Sequence, residues 1–178
     1  MENKISDLDR KIYQIIRENI SDFIKSQSDI LDSDSKKLLD IAPQDHKGSK
    51  EFFNKSEIFT ADIDKESGAD YIIDICENNS NLIPDESFDI VLCTEVLEHT
   101  LNPFSAVSEI NRILKKNGIL LMSTPFNFRI HGPLPDCWRF TEHGIKALLK
   151  DFKTVEIKAI EDTDRFLMPF HYTTVAIK

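Results

Sequence analysis

Residues 86–99 read ESFDIVLCTEVLEH. Ile90, Val91, Leu92 and Cys93 follow one another without a polar break, and Thr94-Glu95 then ends the run. A strand that is apolar on both sides is covered on both faces, as parallel strands in α/β proteins are. The acid at its end is a second signal, because such sheets bind ligands beyond the carboxyl ends of their strands.

Outward from this run the same shape recurs. LLDIA (38–42), EIFTADID (57–64) and DYIIDI (70–75) precede it, and GILLMSTP (118–125) follows. Each is a short apolar run and is predicted as a strand. Helical patterns fall elsewhere. Ile5, Leu8, Ile12, Ile15, Ile16, Ile20, Phe23 and Ile24 keep the spacing of one helix face over residues 5–24, with Ser6 and Asp9 as a capping box. SQSDILDSDSKK (26–37) then reads as a linker. Asn102-Pro103 opens a second helix, and Thr141 opens a third that buries Ile145, Leu148, Leu149 and Phe152. TVEIKAI (154–160) and HYTTVAIK (171–178) flank a loop with Pro169 and are predicted to pair as a terminal antiparallel hairpin. Strands alternating with helices give a doubly wound, Rossmann-like α/β sheet. The expected division is residues 1–35 as N-terminal helix and linker, and 36–178 as the sheet domain.

The 178 residues carry a formal net charge of −9 with no dense Lys/Arg run, so nucleic acid is not an expected partner. No apolar run approaches the ~20 residues that a membrane span needs. Residues 1–10 are polar, so no secretory leader is expected and the expected location is cytoplasmic. Cys76, Cys93 and Cys137 are odd in number and lack CxxC spacing, which fits reduced thiols better than a metal or disulfide role.

The strand ends carry the chemistry. Asp40 ends the first predicted strand, and Asp62 follows it by 22 positions. An acid at about that distance binds ribose hydroxyls in dinucleotide-binding sheets. Asp74 and Thr94-Glu95 end the next two strands. Successive acids suit an uncharged or cationic adenosine ligand and oppose a pyrophosphate. No GxGxxG follows the first strand, which argues against a nicotinamide enzyme.

LLDIAPQD, TADID, YIIDI, ESFDIVLCTEVLEH and RILKKNGILLMSTP, in this order, resemble the motifs of class I S-adenosylmethionine-dependent methyltransferases of the type 11 kind. The resemblance covers about residues 36–178. It implies a seven-stranded sheet with its last strand antiparallel. It also implies S-adenosyl-L-methionine as cofactor, with Asp62 and Ile63 at the ribose, Asp74 and Ile75 at the adenine, and Asp40, Ala42, Gln44, Thr94 and Glu95 at the methionine. One departure stands out. Where the family has DxGxGxG, this chain has Ala42, Gln44 and His46 in the glycine positions. The alternative is therefore a non-catalytic protein of the same fold, kept for binding or scaffolding with reduced cofactor affinity.

Residues 123–144, STPFNFRIHGPLPDCWRFTEHG, follow the fifth strand and mix aromatics with His131, Asp136 and Arg139. Three prolines between Pro125 and Pro135 rule out a regular helix, so the segment is predicted as a lid over the substrate. His131-Gly132, Pro133, Asp136 and Arg139-Phe140-Thr141 resemble a segment of methyltransferases of cell-surface glycan biosynthesis. That implies a hydroxyl of a small molecule or glycan precursor as methyl acceptor. His131 and His99 are the candidate bases, with Arg139 and Asp136 as further candidates. Glu95, Glu98 and His99 could form a divalent-cation site, but no fourth ligand follows at a diagnostic spacing, and no metal is expected. Residues 5–24 either cover the cofactor or pair two copies as a homodimer, and the sequence does not choose.

Overall fold

The computed structural model describes residues 5–43 and 48–178. The helices are α1 (Asp7–Leu31), α2 (Pro103–Ile113) and α3 (Glu142–Leu148). The strands are β1 (Lys37–Ile41), β2 (Glu57–Asp62), β3 (Tyr71–Ile72), β4 (Phe88–Thr94), β5 (Leu114–Pro125), β6 (Thr154–Ile160) and β7 (His171–Ile177). They form one seven-stranded sheet in the order β3-β2-β1-β4-β5-β7-β6. β1 to β5 run parallel, and β7 is antiparallel to both β5 and β6. The expected Rossmann-like sheet and terminal hairpin are both present. The strand order reverses between β1 and β4, which makes their carboxyl ends the switch point.

Alternate side chains along each central strand enter opposite cores. Leu39, Val91, Cys93, Leu120 and Met122 pack with Ala106, Val107, Ile110 and Ile113 of α2 and with Ile145 and Leu148 of α3. Leu38, Ile90, Leu92 and Leu121 pack with Ile12, Ile16, Ile20, Phe23, Ile24 and Leu31 of α1. The first helix thus covers one face of the central strands β1, β4 and β5. It runs seven residues past the predicted end at Ile24, because Ser28 and Leu31 are still buried on that face. Asp32 ends it, and its carboxylate accepts from the backbone N–H groups of Asn54, Lys55 and Ser56, which fixes the entry to β2.

The three predicted helices all fall outside the stretch from β1 to β4, and among the described residues the link from β1 to β2 carries a 3-10 turn (Gly48–Glu51). β3 shrinks to two residues, and the chain after it is held by Asn79. The Asn79 side chain donates to the carbonyls of Asp74 and Glu77 and to Glu109 of α2. Predicted caps are in place elsewhere. Ser6 accepts from Asp9 N, Asn102 from Ser105 N and Thr141 from Gly144 N.

Candidate functional site

β1 ends in Asp40 and Ile41, and Ala42 follows it. Asp40 was expected to meet the ligand, yet it is 2% exposed, and its Oδ2 accepts from Ser49 N and Oγ at 2.8 Å each. Burial pushes its carboxyl up to about 6, with the Ser49 hydrogen bonds opposing. It anchors the returning loop rather than opening onto the cleft. Ala42 has φ of +51°, so it adopts the left-handed backbone that glycine supplies more cheaply. The close approach has moved to Gly48 (φ +53°), where a Cβ would collide with Asp40 Oδ2. Gln44, and His46 with it, lie outside the described residues.

The β2 and β3 ends carry the acids expected for an adenosine. Asp62 is half-buried with Oδ1 accepting from Asp64 N, and Ile63 beside it is 67% exposed. Asp74 is exposed, two residues beyond the shortened β3, with Oδ1 accepting from Cys76 N, and Ile75 is buried.

The cleft itself opens at the switch point. Ala42, Thr94, Glu95, His99 and His131 line it, faced by Tyr13 and Arg17 of α1. Glu95 also has a positive φ (+55°), so left-handed residues end both strands of the switch point. Strain of this kind collects at functional sites. Glu95 Oε1 accepts from Ser123 Oγ (2.9 Å) and from His171 Nε2 (2.8 Å). Asn19 of α1 meets His171 Nδ1 at 2.7 Å. A carboxylate only accepts, so Nε2 carries the His171 proton and Nδ1 accepts from the Asn19 amide. Burial would raise the Glu95 carboxyl, but His171 and Ser123 hold it below its ordinary value.

A 3-10 turn (Leu97–His99) after β4 puts Glu98 and His99 side by side. The Glu98 carboxylate has no exposed surface, and neither oxygen has a hydrogen-bond partner among the described residues. Burial, and then the charge of Glu95, push its carboxyl well above the ordinary range. The Nε2 atoms of His99 and His131 each stand 3.8 Å from Glu98 Oε1. Glu98, His99 and His131 are thus the described residues that could hold a metal ion. The segment carrying His131 is fastened here as well, since Cys137 N and Trp138 N donate to the Glu98 carbonyl.

Asp136 stands behind His131, out of the cleft. Its Oδ2 accepts from His131 N (2.9 Å) and from Arg139 Nη2 (2.8 Å), and lies 3.1 Å from His131 Nδ1. Burial would raise Asp136, but Arg139 and His131 pull it down to about 2. Burial lowers His131, with Asp136 opposing, so the ring is neutral near pH 7 and keeps a lone pair. Arg139 and Asp136 were candidate catalytic groups, and the structure makes them supports of His131.

Arg17, Asn19 and His171 were missed. Arg17 is a cation next to Ile16 in the Ile12, Ile16, Ile20 stripe, and His171 opens a buried β-rich run. Those were the available signals.

A family model described as "Methyltransferase domain" matches residues 35–122. A ubiquinone biosynthesis O-methyltransferase of Histophilus somni (strain 2336) is 32% identical over 94 residues, which is 51% of this chain and 35% of that protein. The chain spans about a third or less of the length of the curated relatives it matches. Among solved structures, an S-adenosylmethionine-dependent methyltransferase from Archaeoglobus fulgidus superposes with a TM-score of 0.62 at 19% identity, over 93% of this chain and 99% of that one. The 1,6-didemethyltoxoflavin-N1-methyltransferase of Burkholderia thailandensis, with S-adenosylhomocysteine bound, gives 0.62 at 14% identity over 100% of this chain and 93% of that one. Residues 35–122 thus match a methyltransferase domain, and the chain as a whole takes the fold of the S-adenosylmethionine-dependent methyltransferases.

Proposed function

We propose that the chain transfers the methyl group of S-adenosylmethionine to a hydroxyl oxygen of a small molecule. The observation that carries this reading is the cluster of Glu95, Glu98, His99 and His131 at the carboxyl end of β4, opposite Ala42 across the switch point. The bound cofactor supplies a methyl on a cationic sulfonium. The Glu95 carboxylate in the cleft suits that charge, and Asp62, Ile63, Asp74 and Ile75 would meet the adenosine. Thr94 and Glu95 would border the methionine, and Arg17 is placed for its carboxylate. The methyl–sulfur bond breaks as the methyl–oxygen bond forms, and the acceptor proton passes to an imidazole. His131 is the better base, because Asp136, paired with Arg139, accepts from its backbone N–H and stands beside its ring. Oxygen as acceptor is supported by the names of the curated relatives, ubiquinone biosynthesis O-methyltransferases. Three free cysteines fit a cytosolic setting.

Calorimetry with S-adenosylhomocysteine tests the reading first, and radiolabelled methyl transfer to phenolic and sugar hydroxyl acceptors tests it second. Saturable binding supports it, and labelled product separates a small phenol from a glycan precursor. No heat at millimolar ligand would sink the enzyme and leave a methyltransferase-fold binding protein.

A further inference from the structure

We propose that Glu98, His99 and His131 form a site for a divalent transition-metal ion, with open positions facing the cleft. The first ground is the Glu98 carboxylate. It is completely covered and has no hydrogen-bond partner among the described residues. A buried polar group left unpaired is costly, and such a group calls for an explanation, a missing ion among them.

The second ground is the two imidazoles aimed at it. His99 Nδ1 lies 2.9 Å from the Pro135 carbonyl, which only accepts, so Nδ1 carries the proton and Nε2 is a lone pair. His131 also turns Nε2 toward Glu98, with Nδ1 3.1 Å from Asp136 Oδ2 but not hydrogen-bonded to it, while its backbone N–H donates to that same oxygen. For His99 this is the outer-shell pattern of metal-binding histidines, where a carbonyl or carboxylate fixes the tautomer and the other nitrogen takes the ion. Asp136 is in turn paired with Arg139, which fixes the backbone at His131.

The third ground is distance. The three ligand atoms lie within 4.8 Å of one another, with two separations of 3.8 Å. Ligands of an ion at about 2.1 Å stand roughly 3.0–3.5 Å apart, so small side-chain shifts close the set. Two neutral imidazoles and one carboxylate suit Zn²⁺, Mn²⁺, Fe²⁺ or Co²⁺ better than Mg²⁺ or Ca²⁺, which prefer oxygen alone. Glu95 has Oε1 committed to Ser123 and His171 and contributes charge rather than a bond.

The site stands without the methyl-transfer reading. Where both hold, the ion would bind the acceptor oxygen and lower its pKa, so that its proton leaves to solvent before the methyl moves, and His131 would serve as ligand instead of free base.

The test uses the full chain, stripped with a chelator and titrated with Zn²⁺, Mn²⁺ and Co²⁺ by calorimetry, with Mg²⁺ and Ca²⁺ as controls. Visible absorption of the Co²⁺ form reports the coordination. One equivalent should bind at micromolar concentration, with Mg²⁺ much weaker. Glu98→Gln and His131→Asn, each checked for native circular dichroism, should weaken binding by about tenfold or more. His143→Ala, on an exposed residue away from the cluster, should leave it unchanged. If Glu98→Gln does not fold, His131→Asn carries the comparison. Absence of saturable binding overturns the inference, as does binding that the folded variants leave intact. Metal bound without S-adenosylhomocysteine leaves the site standing and the methyltransferase reading in question. The reverse result sinks only the site.

Discussion

Ala42 shows what the chain does without its loop glycines. A left-handed alanine costs about 1–2 kcal/mol, and the entropy that glycine would add to the unfolded chain returns about half of that. Ala42→Gly should therefore stabilise by roughly 0.5–1 kcal/mol in urea unfolding, since the strain outweighs the entropy. Asp40 gives a pH signature. Its folded pKa of about 6 stands above its ordinary 3.8, so the folded state holds the proton more tightly. The stability it lends is full below pH 4 and is lost as pH rises through 6. The loss is at most about 3 kcal/mol. Thermal melts of Asp40→Asn should be flatter than wild type between pH 4 and 7, and equal slopes would contradict the buried-acid account. The acids at the strand ends were legible in sequence because each closes an apolar run. The fate of Asp40 was not, because Ser49 captures it only after the chain turns at Gly48.

At the scale of elements, α1 carries more than its sequence advertised. Its apolar stripe was plain, but which surface it covers depends on Leu38, Ile90, Leu92 and Leu121 facing one side of the sheet. Ile16 is 2% exposed on that face. Ile16→Ala should cost about 2–5 kcal/mol, as core truncations do, and the helix should unfold with the sheet in a single urea transition. A separate early transition of α1 would show a detachable arm. The strands were legible from continuous apolar runs, and the terminal hairpin from two β-rich runs. The ties between β1 and β4 were not, because Asp32, Asn79 and Glu109 make them through single side chains that leave no periodicity.

For the molecule as a whole, ligand binding couples to stability. S-adenosylhomocysteine at a hundredfold its Kd should add about 2.7 kcal/mol, which raises Tm by roughly 5–11 °C for a chain of this size. An unchanged Tm alongside measurable calorimetric binding would contradict two-state linkage. The contact between Asn19 and His171 joins residues 152 positions apart, and His171 reaches Glu95 in the middle of the chain. No local pattern predicts such a pair. Its consequence concerns the order of events during synthesis. When the ribosome has made α1, β1 and β4, the switch point already has its strands, but Glu95 still lacks the ring that holds it. Only after residue 171 leaves the exit tunnel can β7 slide between β5 and β6 and deliver that ring. Until β7 is in place, Glu95 therefore lacks the His171 hydrogen bond that sets it beside Ser123.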